Sequence, residues 1–196
     1  MARGGRRAAR GGTLTALPAS TGHDSGTPCC DHTSVGVLLA SPAGLLVFER
    51  ATPPAGIAPV AGHVDQHGSP EQAARTEVAE EVGLTVTHLH LLLSQWRPNR
   101  CCRPSDDTVG HRWWIYQAQA SGPIRPSARE VRAPRWIHPD QLQHHARRTV
   151  AYAEGHLSKE EFTNQPGLAP VWVRFLHELQ LVTLDDDTLN LIDAVI

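Results

Sequence analysis

The chain has 196 residues, 40% of them hydrophobic, 19% charged and 5% aromatic, with a net charge of −2. That apolar fraction supports a packed core and excludes wholesale disorder, and no run of about 18 apolar residues is present to form a transmembrane helix. The charge is split: Arg3, Arg6, Arg7 and Arg10 head the chain with no acid in the first 12 residues, which leaves −6 on the remainder.

In chain order, residues 1–32 are rich in Gly, Ser, Thr, Ala and Arg without periodicity, and read as a disordered, solvated tail. The stretch after the arginines lacks a sustained apolar region, so a secretory signal is not expected and the cytoplasm is the expected location. The acidic remainder argues against a specific nucleic-acid partner, which needs a basic face. Ser34 to Ala40 and Leu45 to Arg50 are apolar, β-branched runs separated by a Ser-Pro-Ala-Gly turn, the pattern of a hairpin. Residues 51–62 are broken by Pro53, Pro54, Gly56 and Pro59 and read as loop, with a short strand near Ile57 to Val60.

A helix follows with marked ends. Ser69 is a good N-cap, Pro70 suits the first helical position, Gln72 completes a capping box and Gly83 supplies a left-handed stop. Ala73, Ala74, Val78 and Val82 form its apolar stripe. Val86 to Trp96, Arg112 to Ala120 and Val131 to Ile137 read as strands. Pro139-Asp140 opens a helix running to about Glu154, Ser158 with Glu161 is a second capping box, and helices are expected within 167–181 and 185–195. Strands alternating around one marked helix, followed by a helical third, give an α/β class chain.

The marked helix carries the chemistry. Glu77, Glu80 and Glu81 stand three and four apart, which places them on one side, a turn apart, where like charges repel. A hard divalent cation with oxygen ligands would relieve that repulsion; a solvated acidic face is the plain alternative. Four further features stand out. Cys29-Cys30 and Cys101-Cys102, with His32 nearby, could ligate zinc, but adjacent cysteines fit the usual spacing poorly and reduced thiols are the simpler reading. Arg97, Arg100, Arg103 and Arg112 surround a polar loop and could clamp an anion. Trp113 and Trp114 must point to opposite faces of their strand, one into the core and the other, assigned to Trp114, towards a ligand. Trp172 and Phe175 are expected either in the core or at a homodimer interface.

The stretch Gly62 to Leu84 resembles the Nudix box, G-x5-E-x7-R-E-U-x-E-E-x-G-U with U aliphatic. It matches at Gly62, Glu77, Val78, Glu80, Glu81, Gly83 and Leu84, and departs at Gly68, where the box has Glu, and Thr76, where it has Arg. The resemblance implies a Nudix-like α/β/α sandwich with a mixed sheet over 33–145 and a helical C-terminal extension over 146–196 packing on it. It implies metal-dependent hydrolysis of a diphosphate bond in a small-molecule nucleoside diphosphate derivative. It makes Glu77, Glu80 and Glu81 catalytic and ligands to Mg2+ or Mn2+, with the backbone at Gly62 as a further ligand. His63, Arg97, Arg112, Trp114 and Glu130 are the candidates for binding substrate, Glu130 also as a late carboxylate. The two departures keep a second reading open, a Nudix-fold module that senses a nucleotide without cleaving it.

Overall fold

Apolar runs buried on both faces build the centre of the sheet. Strand β1 (Thr33–Ser41) turns back into β2 (Gly44–Arg50), and then come β3 (Ile57–Ala58), β4 (Val60–His63), α1 (Pro70–Val82), β5 (Thr85–Arg97), β6 (His111–Ser121), β7 (Val131–Ile137), α2 (Pro139–Ala153), α3 (Lys159–Asn164), α4 (Pro170–Glu178) and α5 (Asp186–Asp193). This is a computed structural model that describes residues 1, 29–65, 67–99, 101, 103, 110–193 and 195; the expectation for most of the Arg-rich head lies outside them.

The sheet is mixed. β1 pairs parallel with β6 and antiparallel with β2 and β4, β5 pairs with β6, and β3 and β7 pair with β2. Successive strand residues serve opposite faces. Val35, Val37, Leu39, Tyr116 and Ala118 face α1, where Ala73, Ala74, Val78 and Val82 are all buried. Leu38, Trp113 and Ile115 face α2, α4 and α5. Helices on both faces of a mixed sheet make the α/β/α sandwich expected from the resemblance.

The ends of α1 follow its sequence signals. The Ser69 hydroxyl accepts from the Gln72 amide, the Gln72 side chain accepts from the Ser69 amide, and Gly83 takes φ 71° while donating to the Ala79 carbonyl. Two elements differ from expectation. The 51–62 segment ends in a true strand, β4, whose residues Gly62 and His63 pair with Val35 and Ser34. The helix expected within 167–181 is only Pro170–Glu178, because Leu168 is drawn into a bridge with Ile57 and the Ala169 amide donates to the Ile57 carbonyl. Residues committed to a β-bridge cannot also extend a helix. Trp172 and Phe175 are fully buried, so they belong to the core. Helix α2 runs unbroken across position 145. Among the described residues no helix is long and apolar enough to cross a membrane.

Candidate active site

The acidic face of α1 is laid against β4. Glu77 and Glu81, four residues apart, turn toward Ala61 and Gly62, while Glu80 remains exposed. The Ala61 amide, not used by β1, donates to Glu81 Oε2 at 3.1 Å. Gly62 is required for space rather than for backbone freedom: a Cβ there would overlap the Glu77 carboxylate.

These carboxylates are costly to ionise. Burial first, then the charges of Glu80, Glu130 and Asp65, push the Glu77 carboxyl from its ordinary 4.5 up to about 7. Glu81 is raised well above the carboxylate range, again by burial first and then by Glu77, against the opposing pull of the Ala61 amide and Arg50. Glu130 reaches the site because residues 125–127 wrap the end of α1: the Arg125 amide donates to the Val82 carbonyl and the Ser127 amide to that of Glu81. Glu130 itself is paired with Arg129 at 2.8 Å.

The departures from the box have structural counterparts. Gly68 sits at φ 90°, a conformation that disfavours a glutamate there, and leads directly into the Ser69 cap. Arg75 does not substitute for the arginine absent at position 76, since its guanidinium donates to the Val86 carbonyl at 2.9 Å. The cation nearest in effect to Glu81 is Arg50, from the end of β2, which local spacing did not reveal.

A cleft of about 630 Å³ opens above these groups, and Glu77, Glu81, Gly62, His63, Arg50 and Glu130 are among its walls. Of the residues expected to bind substrate, His63 and Glu130 line the cleft. Arg97 does not: it is ion-paired with Glu178 of α4. Arg112 is exposed on β6 outside the cleft wall. Strand register gives the cleft to Trp113, whose indole N–H donates to Asn99 Oδ1 at 3.0 Å, while Trp114 packs on the α1 side. Arg103 does reach the site, holding both oxygens of Asp65 at 2.8 and 2.7 Å. Next to Gly62, His63 meets Cys30, Cys101 and His111. Burial first, then His63, lowers His111 to about 4, so it is neutral at physiological pH, and burial raises the Cys30 thiol to about 11.

The α/β/α sandwich thus lays one helix, with its paired glutamates, under an open cleft. The chain matches the NUDIX domain over residues 31–159 and belongs to the Nudix hydrolase family. In fold it is similar to the MutT protein of Methanosarcina mazei Go1, at 13% identity and TM-score 0.52 over 78% of this chain and 94% of that one. It is also similar to the E. coli dihydroneopterin triphosphate pyrophosphohydrolase, at 18% identity and TM-score 0.50 over 59% and 86% respectively. Among curated proteins no match is found.

Proposed function

We propose that this Nudix hydrolase cleaves a diphosphate bond in a nucleoside diphosphate derivative, with Mg2+ or Mn2+ held by Glu77, Glu80 and Glu81. The observation that carries this reading is the convergence of Glu77 and Glu81 on the Ala61-Gly62 backbone inside the cleft. The donors offered there are carboxylate oxygens, with the backbone of β4 alongside, and an oxygen set suits a hard cation. Such an ion, when bound, neutralises diphosphate charge and acidifies an attacking water. The protein's own groups do the rest. Glu81, oriented by the Ala61 amide, is placed to hold a ligand in fixed geometry. Glu130 supplies a further carboxylate that can accept the proton of water. Arg50, also among the cleft walls, brings a guanidinium that suits phosphate oxygens.

A panel of nucleoside diphosphate derivatives, assayed with and without Mg2+, tests the proposal. Turnover of at least one compound is expected, dependent on the cation and reduced by about 10²-fold or more in Glu81→Gln. Tight binding without turnover by the intact protein would instead support the sensing module, and an unchanged rate in Glu81→Gln would sink the assignment of the site.

Gly62→Ala is expected to be nearly as damaging as loss of a carboxylate. Its Cβ displaces the Glu77 carboxylate, and displacements on the order of 1 Å can cost about 10²-fold in rate. Steady-state kinetics should show the loss mainly in kcat, with a circular dichroism spectrum like that of the parent.

A further inference from the structure

Three strand ends meet beside the active-site cleft, and each brings a soft or borderline metal ligand. Cys30 lies just before β1, His63 ends β4 and His111 begins β6. The pairing of β1 with both β4 and β6 aligns Ser34 with His63 and Trp113, and so gathers these ends. Cys101 arrives from the segment between β5 and β6. Cys30 Sγ lies 3.1 Å from His111 Nε2 and 3.5 Å from His63 Nε2, and Cys101 Sγ lies 3.3 Å from the same His63 nitrogen. All four ligand atoms fall within 4.8 Å of one another.

We propose that Cys30, His63, Cys101 and His111 form a closed, tetrahedral structural zinc site that ties Cys101 to the end of β4.

The spacing suits the ion. With Zn–S near 2.3 Å and Zn–N near 2.0–2.1 Å, the sulfur-to-nitrogen edge of a tetrahedron is about 3.6 Å, close to the separations observed. Two sulfurs and two imidazole nitrogens are the donor set of structural zinc. Four protein ligands leave no open position, so the ion would hold structure rather than bind substrate.

The surroundings are those of ligands already oriented. The His32 amide donates to Cys30 Sγ and the Arg103 amide to Cys101 Sγ, each at 3.3 Å and each from two residues further on. Such N–H donors stabilise thiolates. Asn99 Oδ1 accepts from His111 Nδ1 at 2.9 Å, which fixes the ring and leaves Nε2 for the ion; Asn99 is itself held by the Trp113 indole. The Arg103–Asp65 ion pair ties Arg103, two residues after Cys101, to the loop after β4. Cys29, by contrast, is exposed, and the His32 ring bonds the Gly110 carbonyl. The ligand set is therefore one cysteine from each near-terminal or loop pair together with two strand-end histidines, and Cys102 lies outside the described residues.

The consequence is positional. His63 follows Gly62 directly, so the ion would anchor the strand that carries the backbone facing Glu77. It would also fix Asn99, Cys101 and Arg103 as a wall of the cleft. This inference stands apart from the hydrolytic reading, since it concerns a different donor set and a different metal.

The experiment is elemental analysis of the full-length protein, purified under reducing conditions without added metal, followed by cobalt replacement. About one zinc per chain is expected, and the cobalt form should show the intense visible bands and thiolate charge-transfer absorption of tetrahedral S2N2 coordination. Cys101→Ser should lower zinc content to about a tenth or less, while Glu77→Gln should retain it. Absence of zinc and of a tetrahedral cobalt spectrum in the parent protein overturns the proposal without reference to whether any variant folds. So does a Cys30–Cys101 disulfide seen by mass as the loss of two hydrogens, or zinc that leaves with Glu77→Gln and stays with Cys101→Ser. Hydrolysis of the substrate panel is scored separately, so the two proposals can fail independently.

Discussion

Replacing Glu77 by Gln is expected to abolish turnover and, in the absence of divalent cations, to make the protein more stable at pH 8. Burial first, then the neighbouring carboxylates, push this carboxyl from its ordinary 4.5 up to about 7 in the folded chain. A raised folded value means that folding takes up a proton between these limits. The stability associated with the neutral form is complete below 4.5, is lost as the pH rises toward 7 and is gone above it. The difference corresponds to about 3 kcal/mol at full effect. Gln keeps the shape, removes the charge and escapes this loss. Chemical denaturation without metal should therefore show parent and variant nearly equal at pH 4.5, diverging to about 2–3 kcal/mol in favour of Glu77→Gln at pH 8.

Adding Mg2+ at pH 8 should reverse the order, because a ligand bound only by the folded state stabilises it by RT ln(1 + [L]/Kd). The parent gains this and the variant gains less. If the parent without metal is as stable as the variant at pH 8, then the Glu77 charge is compensated within the protein and the cation has no vacancy to fill. In the expected outcome, cost in stability and gain in chemistry reside in the same oxygen atoms, as for a group placed for function rather than for folding.

What could be read from the sequence follows the range of the interactions involved. Ser69, Gln72 and Gly83 act within one or two turns of their own helix, so their spacing suffices to bound α1. The glutamates repeat at helical intervals, so their common side is legible too. That Glu77 and Glu81 are turned inward and Glu80 outward depends on β4, whose existence required Gly62 and His63 to pair with β1 across about 28 residues. The tryptophan pair shows the same limit. Alternation demands opposite faces for Trp113 and Trp114, but only the parallel register with β1 assigns Trp113 to the cleft and Trp114 to the α1 side. Arg97 looked like an anion clamp because its loop is basic; its partner, Glu178, lies 81 positions away on α4. The Cys/His group has no local motif at all, since its ligands come from separate strand ends and a loop.

Truncating Trp172 to Ala should be among the most destabilising single changes available. Helix α4 lies beyond the residues matched by the NUDIX domain, which end at 159, yet Trp172 is fully buried and packs on the middle of the central strand. Gly36 of β1 is bare beneath it: a Cβ there would collide with the Trp172 ring and with Ile115. Trp113 and Phe175 complete the contact, edge-on to Trp172 with ring centres 6.3 and 5.7 Å away. Removing the indole leaves a cavity between sheet and helices that the flat strand cannot collapse to fill, at a cost of about 3–5 kcal/mol. For a chain of this size that corresponds to a fall in Tm of roughly 6–20 °C. The same contact predicts that a chain ending at 159 exposes the α2 side of the sheet and does not unfold cooperatively. Thermal melts of Trp172→Ala and of the shortened chain measure both. A loss below about 1 kcal/mol together with cooperative melting of the shortened chain would mean that the helices after α2 are an attachment, and that the sandwich closes without them.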